Sequence, residues 1–186
     1  SVMVTTLPVY TIHMDTRANG LDDEEFEQGV GELGRSLSRL FGDRSAAAYE
    51  QMIRAARKKG VRYQKISPRP IDFQELQLLK SFPILREKPN NGGAIVTTLY
   101  ERKSNGMLAQ RTLGRSDENK GSLGIEEAFD QYLRGVDGQE WRQKISGNFW
   151  IPTGDKRDIT PVDGMNVVTT IDAGVQDVAE KALKES

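Results

Sequence analysis

Glycine spacing divides this 186-residue sequence into two parts of different character. Between residues 106 and 164, successive glycines are never more than 11 residues apart. Glycine weakens the interior of helices and strands, so only short elements fit between them. The first 100 residues instead contain long amphipathic patterns. Helices and strands alternate without regular β–α–β units, which predicts an α+β fold rather than a doubly wound parallel sheet.

Three helices with N-terminal caps are predicted in the first part. Asp22 begins the first, and the acidic turn that follows suits the positive end of a helix dipole. Asp72 and Glu75 have the spacing of a capping box at the start of the third helix. Glycines end the first two patterns. The predicted ranges are Asp22–Gly42, Ser45–Gly60 and Asp72–Leu79.

The rest of the pattern predicts short strands, turns and two further helices. Runs of β-branched and aromatic residues predict strands, and residues 90–93 and 152–155 predict turns. Asp172 can cap the last helix. The predicted strands are Leu7–Met14, Val61–Ile66, Ala94–Tyr100, Lys144–Ile151 and Asn166–Ile171. The predicted apolar helix faces are Ile125, Ala128, Phe129, Tyr132 and Leu133, and then Val175, Val178, Ala179, Ala182 and Leu183.

Composition excludes several kinds of chemistry. The chain has no Cys, which excludes disulfides, a thiol nucleophile and Cys-based zinc or iron–sulfur sites. One His leaves a single candidate for His-based catalysis, and a net charge of −1 argues against nucleic-acid binding. The apolar content is slightly low for a globular chain, so we expect an elongated shape.

The ends of the sequence predict a piece of a longer protein. The first predicted strand begins within a few residues of Ser1, and the last predicted helix reaches Ser186. No apolar run approaches the ~20 residues that span a bilayer. We therefore expect further segments on both sides.

Three clusters are candidates for chemistry, each with a plainer alternative. His13 and Asp15 share one side of a strand and could serve a hydrolase, although a lone strand histidine is more often structural. The acidic run 22–25 could hold a cation but lacks EF-hand spacing, and helix initiation explains it. A basic run could bind phosphate, peptidoglycan or lipid headgroups, or simply form a solvated helix end. It comprises Arg54, Arg57, Lys58, Lys59, Arg62 and Lys65.

Three segments of the second part carry a family resemblance. Residues 121–138 (GSLGIEEAFDQYLRGVDG) resemble the G-x-x-G-I/L-E…F/Y-D/E-x-x-L-x-G-x-x-G signature of class B penicillin-binding proteins, which are bitopic peptidoglycan transpeptidases. Residues 161–183 resemble the family segment P-x-x-G…T-I/L-D…Q…A/E-x-x-L, which leads into the transpeptidase domain. Residues 106–114 resemble the G-x-L-A…L/I-G segment. The strand at residues 9–15 lies where the family has a y-x-I/V-x-x-D strand.

The resemblance implies an elongated α+β dimerisation (pedestal) domain of one or two subdomains, over residues 1–186. A helix-rich lobe would span about residues 16–90. Strands and glycine motifs would occupy residues 1–15 and 91–172, and a linker helix would begin within residues 173–186. No Ser-x-x-Lys motif occurs, so the chain is expected to be non-catalytic and to lack cofactors and metals. One departure concerns Arg102, which lies about one residue away from the family's Arg-x-x-Pro element and has no Pro after it.

The resemblance also implies a place and partners. The chain would lie on the periplasmic side of the bacterial inner membrane, in a parent anchored by one N-terminal transmembrane helix. It would position the transpeptidase domain and dock a SEDS-type glycosyltransferase or other division or elongation proteins, with self-association a further option. The motif residues expected to shape the interior or the interdomain junction are Gly106, Leu108, Ala109, Gly114, Gly121, Gly124, Glu126, Gly135, Gly138, Gly164, Thr170, Asp172 and Gln176.

Overall fold

The computed structural model describes residues 2–104, 109–114, 116–117, 120–121, 123–146, 149–154 and 156–184. It divides into two compact units. The helical unit is Pro8–Tyr100, and the glycine-rich unit comprises Ser1–Leu7 with Glu101–Ser186. Within the described ranges, no helix is both long enough and apolar enough to cross a membrane.

A small sheet and three helices form the helical unit. The elements in chain order are β1 (Val4–Met14), α1 (Asp23–Phe41), α2 (Ala46–Lys59), β2 (Gln64–Lys65), α3 (Phe73–Leu79) and β3 (Ala94–Ser104). Residues 4–7 of β1 and 101–104 of β3 belong to the glycine-rich unit. The sheet has the strand order β2-β1-β3, and an isolated bridge joins Tyr10 to Ile71.

Side-chain caps start all three helices, as the sequence predicted. Asp22 Oδ1 accepts the Glu25 N–H at 2.7 Å, and Ser45 Oγ accepts the Ala48 N–H at 3.2 Å. Asp72 and Glu75 form both hydrogen bonds of the capping box. Each cap satisfies amide groups that the first helical turn cannot pair internally. The glycines predicted to end α1 and α2 occupy their C-caps.

The core of the helical unit packs the apolar stripes of α1 and α2 against β1. Val30, Leu33 and Leu37 are fully buried on α1, at the three- and four-residue spacing of one helix face. Ile12 and Met14 supply the strand side of the same cluster. Alternation along β1 places these two residues on one face of the sheet. The helical unit therefore has the conventional core that its periodicity predicted.

Three strand predictions in this unit had the wrong length. The strand predicted at Val61–Ile66 is reduced to Gln64–Lys65, which pair with Met14 and His13. Thr16 explains part of this, because its hydroxyl donates to the Val61 carbonyl and occupies that group outside the ladder. β1 and β3 are longer than predicted and begin or end among polar residues.

Short elements make up the glycine-rich unit. Its elements in chain order are α4 (Gln110–Leu113), β4 (Ser116–Asp117), β5 (Lys120–Gly121), α5 (Gly124–Ala128), α6 (Asp130–Leu133), β6 (Arg142–Ser146), β7 (Phe149–Pro152) and α7 (Ala173–Lys184). Among the described residues, β4 pairs with β5 and β6 with β7, both antiparallel.

Three predictions for the glycine-rich unit were wrong. The helix predicted from Ile125 to Leu133 is interrupted at Phe129, where the backbone leaves helical geometry. The strand predicted at Lys144–Ile151 is instead divided between two antiparallel strands, β6 ending at Ser146 and β7 beginning at Phe149. Residues 166–171 form no strand, and Val168 is 94% exposed. An apolar run alone predicted the strand at 166–171, but among the described residues no other element packs over its side chain Val168.

Candidate functional site

A buried ion pair occupies the glycine-rich unit. Glu126, in the first turn of α5, is 5% exposed. Arg102, near the end of β3, meets it with two parallel hydrogen bonds, Nε to Oε2 at 2.5 Å and Nη2 to Oε1 at 2.9 Å. Its Nη1 donates to Thr6 Oγ1 at 3.2 Å. Bidentate pairing of this kind fixes both distance and orientation.

The sequence alone indicated only half of this pair. Glu126 was predicted as a motif residue near a helix start, whereas Arg102 was noted only as displaced from a family element. The two lie 24 residues apart on different elements, so no local pattern joins them. One signal could have pointed to the pair. A motif carboxylate that is buried requires a positively charged partner, and Arg102 is a nearby candidate in the sequence.

The ion pair forms one wall of a cleft of about 330 Å³. Both charged groups of the pair direct their donors and acceptors at each other, so the geometry supplies rigidity to the cleft rather than a free acid or base. The described residues that line it are Val4, Arg102, Lys103, Ser104, Gly114 and Glu126.

Gly114 and Gly124 mark a point where two backbone segments cross at close range. A Cβ on Gly114 would lie 1.7 Å from the Leu123 carbonyl oxygen, and one on Gly124 would lie 2.4 Å from the Thr112 carbonyl oxygen. Neither position tolerates a side chain without moving backbone. This crossing sets the end of α4 against the start of α5, the helix that carries Glu126.

Gly135 and Gly164 form a second crossing of the same kind. A Cβ on Gly135 would lie 2.3 Å from the Val162 carbonyl oxygen, and one on Gly164 would lie 1.9 Å from the Leu133 carbonyl oxygen. Gly135 also has φ +69°, a left-handed conformation that side chains disfavour. An isolated antiparallel bridge joins Val136 to Val162 beside the crossing.

Comparison with known protein families finds no match to this sequence, and comparison with curated proteins finds none either. Solved structures do match. Penicillin-binding protein 2X from Streptococcus thermophilus aligns with a TM-score of 0.60 at 18% identity, over 100% of this chain and 29% of that one. PBP2 from Helicobacter pylori, solved in complex with MreC, aligns with a TM-score of 0.58 at 16% identity, over 100% of this chain and 36% of that one.

The chain has the fold of the non-catalytic region of penicillin-binding proteins. It spans about a third of the length of the two solved chains it matches. The α+β prediction and the predicted resemblance are confirmed at the level of fold. The structure gives the contacts and exposure of most motif residues of the second part within this penicillin-binding-protein fold.

The last helix of this penicillin-binding-protein fold is held by a carboxylate. Glu180 Oε1 on α7 accepts the Ala109 N–H at 2.5 Å and the Gln176 Nε2–H at 3.1 Å. Ala109 has φ +51°, unusual for a residue with a side chain. Asp172 caps α7, with Oδ1 accepting the Gly174 and Val175 N–H groups at 2.8 and 3.0 Å. The Glu180 carboxylate thus joins α7 to the start of α4, while Asp172 caps the start of α7 itself.

The other predicted motif residues of the penicillin-binding-protein fold lie apart from the ion pair. A Cβ on Gly138 would lie 2.6 Å from Pro161 Cδ, so this position also requires a close approach. Gly121 lies in β5 opposite Ser116. Thr170 is exposed and lies outside any helix or strand. Gly106 and Leu108 lie outside the described residues.

The His13–Asp15 candidate is not assembled as a catalytic pair. The His13 ring stacks on Tyr63 with centroids 4.0 Å apart. Asp15 is buried, pairs with Arg62 at 2.9 Å and accepts the Arg17 N–H. His13 and Asp15 therefore contact different residues, Tyr63 and Arg62, although they lie on the same side of the strand.

The basic run likewise does not form one cationic surface. Arg57 is buried and donates to the Thr16 and Leu21 carbonyls and to Asp23. Arg54 pairs with Glu27 and Glu50. The prediction of a solvated helix end was wrong for Arg57, because its guanidinium is buried against the segment that leads into α1.

Acidification is expected to destabilise the helical unit through His13. Burial, and to a lesser degree Lys65, hold the His13 pKa below its usual 6.5. The unfolded chain then binds the proton first, so stability falls as pH drops below about 6.5. Urea unfolding at pH 7.5 and 5.5 should show a smaller loss for His13→Phe, which keeps the stacking on Tyr63. An equal loss in both proteins would contradict this role.

Proposed function

We propose that the chain is the non-catalytic pedestal module of a class B penicillin-binding protein, on the periplasmic side of the inner membrane. The observation that carries the proposal is the extent of the match. The whole chain aligns with 29% and 36% of two penicillin-binding proteins, and its motif segments resemble the same family. The glycine crossings and the ion pair suit a part whose task is to hold shape.

The orientation of α7 supports a following domain. Its residue Glu180 accepts the Ala109 N–H of the same unit, and Gln176 donates to Glu180. Its apolar residues Val175, Val178 and Leu183 are 70%, 68% and 76% exposed. A helix that turns its apolar stripe away from its own unit normally packs against another surface. In this proposal the transpeptidase domain of the parent covers that stripe.

Partners follow from the same proposal. The Helicobacter pylori PBP2 was solved bound to MreC, which supports partnership with proteins of cell-wall synthesis. We extend this to a SEDS-type glycosyltransferase and to other division or elongation proteins, with self-association as an alternative mode. The module would present such partners with one surface and the transpeptidase domain with another.

Penicillin labelling tests whether the module is non-catalytic. A fluorescent penicillin should acylate the full-length parent and leave the 186-residue chain unlabelled, because a penicillin-binding protein needs its Ser-x-x-Lys serine for the covalent bond. Intact mass should show the chain unmodified. A stable penicillin adduct on the chain, or a parent that never labels, would overturn the proposal.

A further inference from the structure

Five large apolar side chains are exposed on the two segments that meet at the second glycine crossing. Phe129 and Tyr132 contact each other with ring centroids 6.4 Å apart. The backbone carbonyl of Tyr132 accepts the Met165 N–H at 2.7 Å, and Val136 pairs with Val162 in the isolated bridge. Their exposed fractions run from 41% to 68%. We name this surface the crossing patch: Phe129, Tyr132, Val136, Val162 and Met165.

The exposure of the crossing patch has no explanation within its own unit. Single exposed apolar residues are ordinary, but a contiguous group marks an interaction surface. Tyr132, for example, was predicted on the inner face of a helix and is 48% exposed. The glycine crossing holds the segments that carry these residues, so the patch lies on a preformed scaffold. Preformed surfaces bind with less loss of conformational entropy.

Exposed carboxylates lie on the same segments as the crossing patch. In residues 123–139 and 159–165, all of which the structure describes, Arg134 is the one cation, and it pairs with Asp130 at 2.7 Å. Glu126 is neutralised by Arg102. Glu127, Asp137 and Asp163 are exposed and pair with no cation among the described residues. The segments that carry the patch are thus acidic in a chain whose net charge is only −1.

This charge pattern selects among possible occupants. A second copy would bring the same carboxylates against one another, and anionic lipid headgroups would also be repelled. We propose that the crossing patch docks an amphipathic segment of a partner protein, with apolar residues at its centre and Lys or Arg on its flanks. The proposal rests on the proposed function, for which it names the docking surface and the partner's chemistry.

A peptide titration tests the chemistry directly. The probe is a fluorescent helical peptide about four turns long, with Leu on one face and Lys on its flanks. The chain should bind it, and a peptide with Glu in place of Lys should not bind. Asp137→Lys/Asp163→Lys should weaken binding at least about tenfold, and Met165→Ser should weaken it as well. The matched charge change Glu24→Lys/Glu87→Lys, in the helical unit, should leave binding unchanged.

Each contrary result rejects the docking surface. Equal binding of the Glu peptide shows that charge does not select the partner, and equal weakening by the Glu24/Glu87 variant shows that only overall charge matters. Absence of binding to the Lys peptide has the same consequence. None of these results affects penicillin labelling of the parent, so the docking surface can fail while the proposed pedestal function stands.

Discussion

Replacing Glu126 by alanine should destabilise the glycine-rich unit by about 3 kcal/mol. Removing one partner of a buried ion pair leaves an uncompensated charge, which typically costs about 3–5 kcal/mol. We expect the lower value, because the Arg102 side chain remains 20% exposed. Urea denaturation followed by tryptophan fluorescence measures the change, since Trp141 and Trp150 both lie in this unit.

Two further variants separate the ion pair from ordinary surface effects. Glu127→Ala removes an exposed neighbouring carboxylate and should change stability by no more than about 0.5 kcal/mol. The double variant Arg102→Met/Glu126→Leu should lose less than Glu126→Ala alone, because no buried charge is left without a partner. An equal loss for Glu127→Ala and Glu126→Ala would show that the pair does not hold the unit together.

Gly135→Ala should be at least as damaging, at about 4 kcal/mol. A left-handed backbone costs a residue with a side chain about 1–2 kcal/mol, and overpacking adds about 1–3 kcal/mol. The new Cβ would lie 2.3 Å from the Val162 carbonyl oxygen, so the two segments must separate. The same urea denaturation should show the loss, with the bridge between Val136 and Val162 disrupted.

Gly154→Ala is the matched control for this substitution. Gly154 has φ +59°, close to that of Gly135, but a Cβ there meets no atom within 4 Å. Its cost is therefore limited to the backbone conformation, about 1–2 kcal/mol. The difference between the two variants isolates the close approach. Similar losses at both positions would show that backbone conformation alone explains the glycine motif.

Local signals predicted the helical unit well. Asp22, Ser45 and Asp72 each cap the helix that the sequence assigned to them, because capping depends on residues only three positions away. Apolar periodicity also predicted the buried face of α1. These features act over one or two helical turns, which a sequence pattern records directly.

Long-range geometry limited the prediction of the glycine-rich unit. Apolar periodicity predicted that Phe129 and Tyr132 are buried. In the structure both are exposed, and the charged residue Glu126 of α5 is buried instead. Arg102 reaches it across 24 residues, and Gly135 meets Gly164 across a longer interval. Contacts between residues so far apart in the sequence produce no periodic sequence pattern. The motif resemblance identified the glycines without showing which of them would cross.

The most direct test of the pedestal function separates positioning from chemistry in the full-length parent. Glu126→Ala and Glu24→Ala parents are compared in cells at matched protein levels, by fluorescent penicillin labelling and by incorporation of new peptidoglycan. We predict that both variants label normally and that only Glu126→Ala loses incorporation, because the transpeptidase site is intact but wrongly held. Normal incorporation with Glu126→Ala, or a parallel loss of labelling, would contradict the account.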